Sequence, residues 1–120
     1  MTSGRTLTKE DFMGNGLLGA YSVCFQLVPA SSSWQVLESP NGAGLQGDII
    51  QSLTIIPATT TPGAVQIQDG PSGTPITVFV GGAVSDLKPF EIVLGIRSRV
   101  GPWAVNTGAN VSVLAVGAFT

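Results

Sequence analysis

Apolar and polar residues alternate with a period of two along most of this chain, and that alternation predicts β-strands. The first is Leu17 to Val28, with Tyr21, Val23, Phe25 and Leu27 on one face and Ala20, Ser22, Cys24 and Gln26 on the other. Trp34 to Leu37 is a short second run. Past Asp48 the rhythm tightens. Ile49, Leu53 and Ile55 are expected to face inward while Ser52 and Thr54 face outward, and Val65 and Ile67 alternate with Gln66 and Gln68. Ile76, Val78 and Val80 follow, then Phe90, Ile92, Leu94 and Ile96, the cleanest alternation of all, then Trp103 to Val105. In the last strand Val111, Val113 and Ala115 alternate with Ser112, Leu114 and Val116. Turn formers separate these runs: Pro29 to Ser33, the loop Ser39 to Gly47, PATTTPG, Asp69-Gly70, Gly81-Gly82 to Pro89, and Gly101-Pro102.

About eight strands with turn signals every eight to twelve residues predict an all-β fold, an antiparallel β-sandwich. Eight suits a jelly-roll-like arrangement of two four-stranded sheets packed face to face. An immunoglobulin-like sandwich is the second choice, without its paired cysteines and central tryptophan. No internal repeat suggests a solenoid. The expected core is Phe25, Ile55, Ile67, Val78, Ile92, Leu94, Val111 and Val113.

The first fifteen residues break the pattern. Met1 to Asn15 hold Arg5, Lys9, Glu10 and Asp11, and are too short for a stable isolated helix. They are expected to form an N-terminal arm, with residues 16–120 as a single sandwich domain. Leu7, Phe12 and Met13 are its candidate anchors on another surface; plain terminal disorder is the alternative.

Composition changes the picture in one respect. The 120 residues are 43% hydrophobic and only 10% charged, where soluble domains run near a quarter charged. A surface so poor in charge is expected to be covered by copies of the chain or by a partner, or else to be polar without charge through Thr, Ser, Asn and Gln. The net charge of −2 argues against nucleic acid, which selects a basic face. Arg97 and Arg99, the one close basic pair, read as charges on a solvated strand edge. No apolar h-region opens the chain and no stretch approaches the length of a membrane span, so it is expected to be made in a cytosol and to assemble there.

The chain is poor in catalytic side chains. It has no histidine and one cysteine, which leaves no ligand set for zinc or copper. The usual base of a serine or cysteine nucleophile is missing as well. Cys24, in the apolar run AYSVCFQLV, is expected to be a buried, inert thiol. Asp69 in QDGPSG is one carboxylate where calcium needs a cluster, and it reads as a turn cap. Glu38, Asp48, Asp69, Asp86 and Glu91 flank turns or polar strand faces, where solvated carboxylates are expected. The Gly-rich stretches GNGLLGAY and NGAGLQG lack the Lys-Ser/Thr ending of a phosphate loop. No catalytic, cofactor or metal residue is assigned, and no enzymatic activity is expected. Trp34 and Trp103, beside turns, are candidates for an oligomer or partner contact, with a sugar platform or core filling as alternatives.

Two stretches, SLTIIPATTTPGAVQIQDGPSGTPITVFVGG and LKPFEIVLGIRSRVGPWAVNTGANVSVLAVG, resemble small β-sandwich proteins encoded among tailed-bacteriophage structural genes. The shared elements are a strand end V-x-I/L-x-D-G, then L-x-P-F-x-I, then G-x-W-x-V-x-T-G-A-N-V-S-V, together covering residues 48–120. Such proteins are often head decoration, or cement, proteins, commonly trimers on the capsid lattice, or parts of head fibres. The resemblance implies a virion structural protein on the capsid exterior, assembled in the host cytoplasm. Its implied partners are the major capsid protein and other copies of itself as a homotrimer, without nucleic acid or membrane. The alternative it leaves open is a head-fibre or appendage module that binds a host receptor or carbohydrate. The first 47 residues carry no part of the resemblance.

Overall fold

A computed structural model describes residues 23–120, and the described chain is all-β. Eight strands follow in order: β1 Cys24–Val28, β2 Gln35–Val36, β3 Ile49–Pro57, β4 Val65–Asp69, β5 Ile76–Phe79, β6 Phe90–Arg97, β7 Trp103–Thr107 and β8 Val111–Ala118. They form two four-stranded antiparallel sheets, β1-β8-β3-β6 and β2-β7-β4-β5. Only β4 and β5 are successive strands of one sheet; every other connection crosses between sheets. The expected β-sandwich is therefore the observed fold. The expected arm, residues 1–15 with Leu7, Phe12 and Met13, lies outside the described residues.

The core lies between the sheets. From the first sheet it takes Val28, Ile50, Leu53, Ile55, Val111, Val113 and Ala115, and from the second Val65, Ile67, Trp103 and Val105, with Leu37 and Phe119 closing it. Val78, Ile92 and Leu94 pack against it half-buried, because β5 and β6 are the outermost strands on one side of the sandwich. Seven of the eight expected core residues thus lie in the core or against it.

Phe25 is the exception, at 71% exposed. The alternation in β1 is as expected, but its direction is reversed. Phe25 pairs with Val116 and Leu27 with Leu114, and residues directly opposite in a ladder share a face. Val113 and Ala115 of β8 are buried between the sheets, so Leu114 and Val116 face outward and take Phe25 and Leu27 with them. Cys24, Gln26 and Val28 turn inward instead; Cys24 is half-buried against the core, less enclosed than expected.

A second correction falls on β3. Ile50, not Ile49, is fully buried. From Ile50 to Ser52 the strand advances two residues while β8 advances one, from Gly117 to Val116, leaving Gln51 as the extra residue of a bulge. On the other side β6 advances three, from Ile96 to Val93, and Gly95 takes the positive φ of 62° that the irregularity needs. The bulge shifts the phase of β3, so Leu53 and Ile55 face inward on the odd positions while Ile50 does so on an even one.

Candidate docking surface

The outer face of the β1-β8-β3-β6 sheet is where the molecule departs from a solvated sandwich. An antiparallel sheet with one wet face normally alternates apolar inside with polar outside. Here two registered rows cross the outer face. One runs Phe25, Val116, Ser52, Val93; the next runs Leu27, Leu114, Thr54, Glu91. The β1–β8 half is apolar apart from Ser112, β3 contributes hydroxyls, and the charges Glu91 and Arg97 stand on β6 at the far edge. Val23, Phe25 and Leu27 are 55%, 71% and 58% exposed, and Val93 is 75% exposed. Single exposed hydrophobics are ordinary; a contiguous apolar row on a strand marks an interaction surface.

The half of the face around β1 is held rigidly. Gln26 lies on the inner side of β1, where its Nε2 donates to the Val36 carbonyl at 3.0 Å and its Oε1 accepts from the Glu38 N–H at 3.0 Å. One side chain thus stitches β1 to β2 across the flank of the sandwich. At the end of β1, the Thr107 hydroxyl donates to the Pro29 carbonyl at 2.6 Å and accepts from the Ser32 N–H at 3.0 Å, anchoring the β1–β2 loop to β7. At the opposite edge the β3 bulge opens a shallow depression of about 320 Å³ lined by Gln51, Ser52, Glu91, Val93 and Gly95.

The residues singled out from sequence separate in space. Trp34 is half-buried on the outer face of the other sheet, beside an apolar pocket of about 230 Å³ shared with Val36, Gln68, Pro71, Pro102 and Ala104. Trp103 is not a surface residue. It is 4% exposed, part of the core, with its indole N–H donating to the Asp48 carbonyl at 3.2 Å. Leu7, Phe12 and Met13 lie outside the described residues. Sequence reasoning missed Leu114, Val116 and Val93 as surface residues. The signal available was β8 itself, whose outer set Ser112, Leu114, Val116 and Ala118 holds only one polar residue.

The carboxylates are structural and scattered. Asp48 is not solvated as expected but 4% exposed. Its Oδ2 accepts from the backbone N–H groups of Leu45 and Thr120 at 3.0 and 3.1 Å, and its Oδ1 from the Thr120 hydroxyl at 2.9 Å. Asp69 caps a turn distant in sequence rather than its own. It accepts the backbone N–H groups of Arg99, Val100 and Gly101 at 2.9, 3.1 and 3.2 Å. Partial burial is the largest single influence on its pKa and raises it. The three N–H groups, with the Arg99 charge, together outweigh burial and hold the carboxyl below its ordinary 3.8. Among the described residues no three or more His, Cys, Asp or Glu converge as a metal set would.

The lowered pKa of Asp69 sets an expected pH dependence. A carboxyl whose folded pKa is depressed contributes stability above its unfolded pKa, near 3.8, and loses it as pH falls through the lower folded value. Urea unfolding of wild type and Asp69→Asn is therefore expected to show a stability gap at neutral pH that closes in acid. A gap that stays constant down to about pH 2 would mean that the charge on Asp69 contributes nothing.

No family model matches the chain, and no curated protein or solved structure is significantly similar to it.

Proposed function

We propose that this chain is a structural protein of a virion, a capsid decoration protein that binds the outer surface of a tailed-phage head and stabilises the shell. The observation that carries this reading is the apolar β1–β8 half of the outer face of the β1-β8-β3-β6 sheet, set on a sandwich poor in charge. An apolar, preformed face suits permanent contact with another protein surface, where burial of apolar area drives association and a preformed scaffold keeps the ordering cost low. The resemblance over residues 48–120 supplies the identity of that surface. In this reading the chain catalyses nothing. Its partners are the major capsid protein and other copies of itself, assembled as a homotrimer that matches a local threefold of the shell. The crossing of successive strands between sheets supports the jelly-roll form of the sandwich.

A second reading rests on the Trp34 pocket. An aromatic beside a small apolar hollow, with the Gln68 amide at its wall, is the kind of platform on which a sugar ring stacks, and it favours an appendage module binding a host carbohydrate.

Locating the chain on purified phage particles by cryo-electron microscopy separates the two. Density repeating over the whole head, contacting the shell through the face that carries Phe25 and Leu27, is expected for decoration. Density confined to the tail or to one vertex sinks that reading in favour of the appendage. Phe25→Glu is expected to weaken binding to undecorated heads by about 10-fold or more, the scale of one lost aromatic burial.

A further inference from the structure

We infer that β1 is a self-association edge, at which a second copy of this chain lays its own β1 antiparallel to the first and joins the two outer apolar rows into one. The inference adds a contact to the proposed assembly and rests on the edges of the sheets rather than on the apolar face alone.

Four strands have an open side among the described residues: β1 and β6 in one sheet, β2 and β5 in the other. Edge strands template unwanted pairing unless charge, proline, a bulge or short length blocks it. β6 carries Glu91 and Arg97 and the irregularity at Gly95. β2 is two residues long, and its Val36 carbonyl and the nearby Glu38 N–H are already satisfied by Gln26. β5 follows Pro75, spans four residues and pairs with β4 out of regular register. β1 is the least guarded: Pro29 follows its last residue, as Pro75 precedes β5, but nothing interrupts the strand itself. Its register with β8 is unbroken over five residues, and it holds no charge and no internal proline. No charged residue occurs anywhere between Asp11 and Glu38. Among the described residues β1 is thus the edge best able to accept another strand.

The strand is complementary to itself. In antiparallel pairing about Gln26, Phe25 stands opposite the second copy's Leu27, and Cys24 opposite its Val28. Odd positions meet odd ones, so both outer rows stay on the same face. Phe25, Leu27, Leu114 and Val116 of each copy then form one apolar patch across the dyad, and the charges on β6 lie at the two far ends of a continuous eight-stranded sheet. An uncharged strand meets its copy without repulsion. Five paired residues and one apolar row make a small contact, below about 1,200 Å², so the association is weak and depends on concentration. Such a contact is isologous and has even copy number; with a threefold assembly it is compatible only as a link between two rings.

Sedimentation of the full chain over a concentration series tests the contact. The expected result is a reversible dimer, or a hexamer if threefold rings form too. Phe25→Glu is expected to raise the dissociation constant by about 100-fold or more, since a symmetric contact loses the residue twice. Val93→Glu, exposed on the same face but on β6, is expected to leave it unchanged. Tryptophan emission, from Trp34 and the buried Trp103 together, checks that both variants remain folded. A wild-type chain that stays monomeric at about millimolar concentration overturns the contact. So do equal losses in both variants, and so does a trimer with nothing larger. The trimer leaves the decoration reading intact, whereas a β1 dimer that never binds heads removes that reading and leaves this contact standing.

Discussion

Leu53→Ala is expected to remove about 2–5 kcal/mol of unfolding free energy, the range for truncating a large buried aliphatic, while Phe25→Ala stays within about 0.5 kcal/mol of wild type. Leu53 is fully buried in β3, between Ala115 and Ile92 of its two neighbouring strands. Removing its isobutyl group leaves a cavity that both sheets line and that neither can close without breaking register. Phe25 is a larger side chain in an equally apolar context along the chain, yet it stands mostly in solvent. The two variants measured side by side in urea therefore report which face of β1 is inside. Equal losses would place Phe25 in the core and reverse the strand.

Asp48→Ala is the second large effect, expected at about 2–4 kcal/mol. The buried carboxylate accepts three hydrogen bonds, and its removal leaves the donors of Leu45 and Thr120 without a partner. Thr120 in turn offers its carbonyl to the N–H groups of Ser39 and Gly44, so the loop between β2 and β3 is held through the same residue. The Asp48 backbone also accepts from the Trp103 indole and the Ser98 N–H. Loosening this hub is expected to shift the Trp103 emission, read in a Trp34→Phe background, as well as the urea midpoint. Asp48→Asn keeps one carbonyl acceptor and is expected to lose less. A loss below about 0.5 kcal/mol for Asp48→Ala would mean that solvent satisfies these donors as well as the carboxylate does.

Much of this architecture is readable in local sequence because a strand's side-chain period is two and its boundaries are marked by glycine and proline. Each of the eight strands coincides with an expected run, β3, β4 and β7 reaching into the flanking turn residues Pro57, Asp69 and Thr107, and Ile55, Ile67, Val111 and Val113 are fully buried as expected. In β8 and β4 the inward set is also the more apolar or more branched one, so periodicity and burial agree. The docking surface was only half legible. That Val23, Phe25 and Leu27 share a face follows from their spacing, while low charge alone fits a covered surface and a polar uncharged one equally.

What spacing determined by itself is which residues keep company; what tertiary structure decided is which company faces the core. Period two is symmetric under exchange of the two faces, and nothing within CFQLV breaks that symmetry. It is broken by β8, nearly ninety residues later in the chain, whose Val113 and Ala115 are committed to the space between the sheets and whose register therefore turns Phe25 outward. The same holds for Ile49 and Ile50, where one extra residue at Gln51 shifts the phase of β3 only because β8 and β6 pair on either side of it. It holds too for Asp48 and Asp69, whose partners at Thr120 and Arg99 to Gly101 lie 72 and 30 to 32 residues away. A carboxylate's role is set by the donors around it, and those arrive only when distant strands close the sandwich.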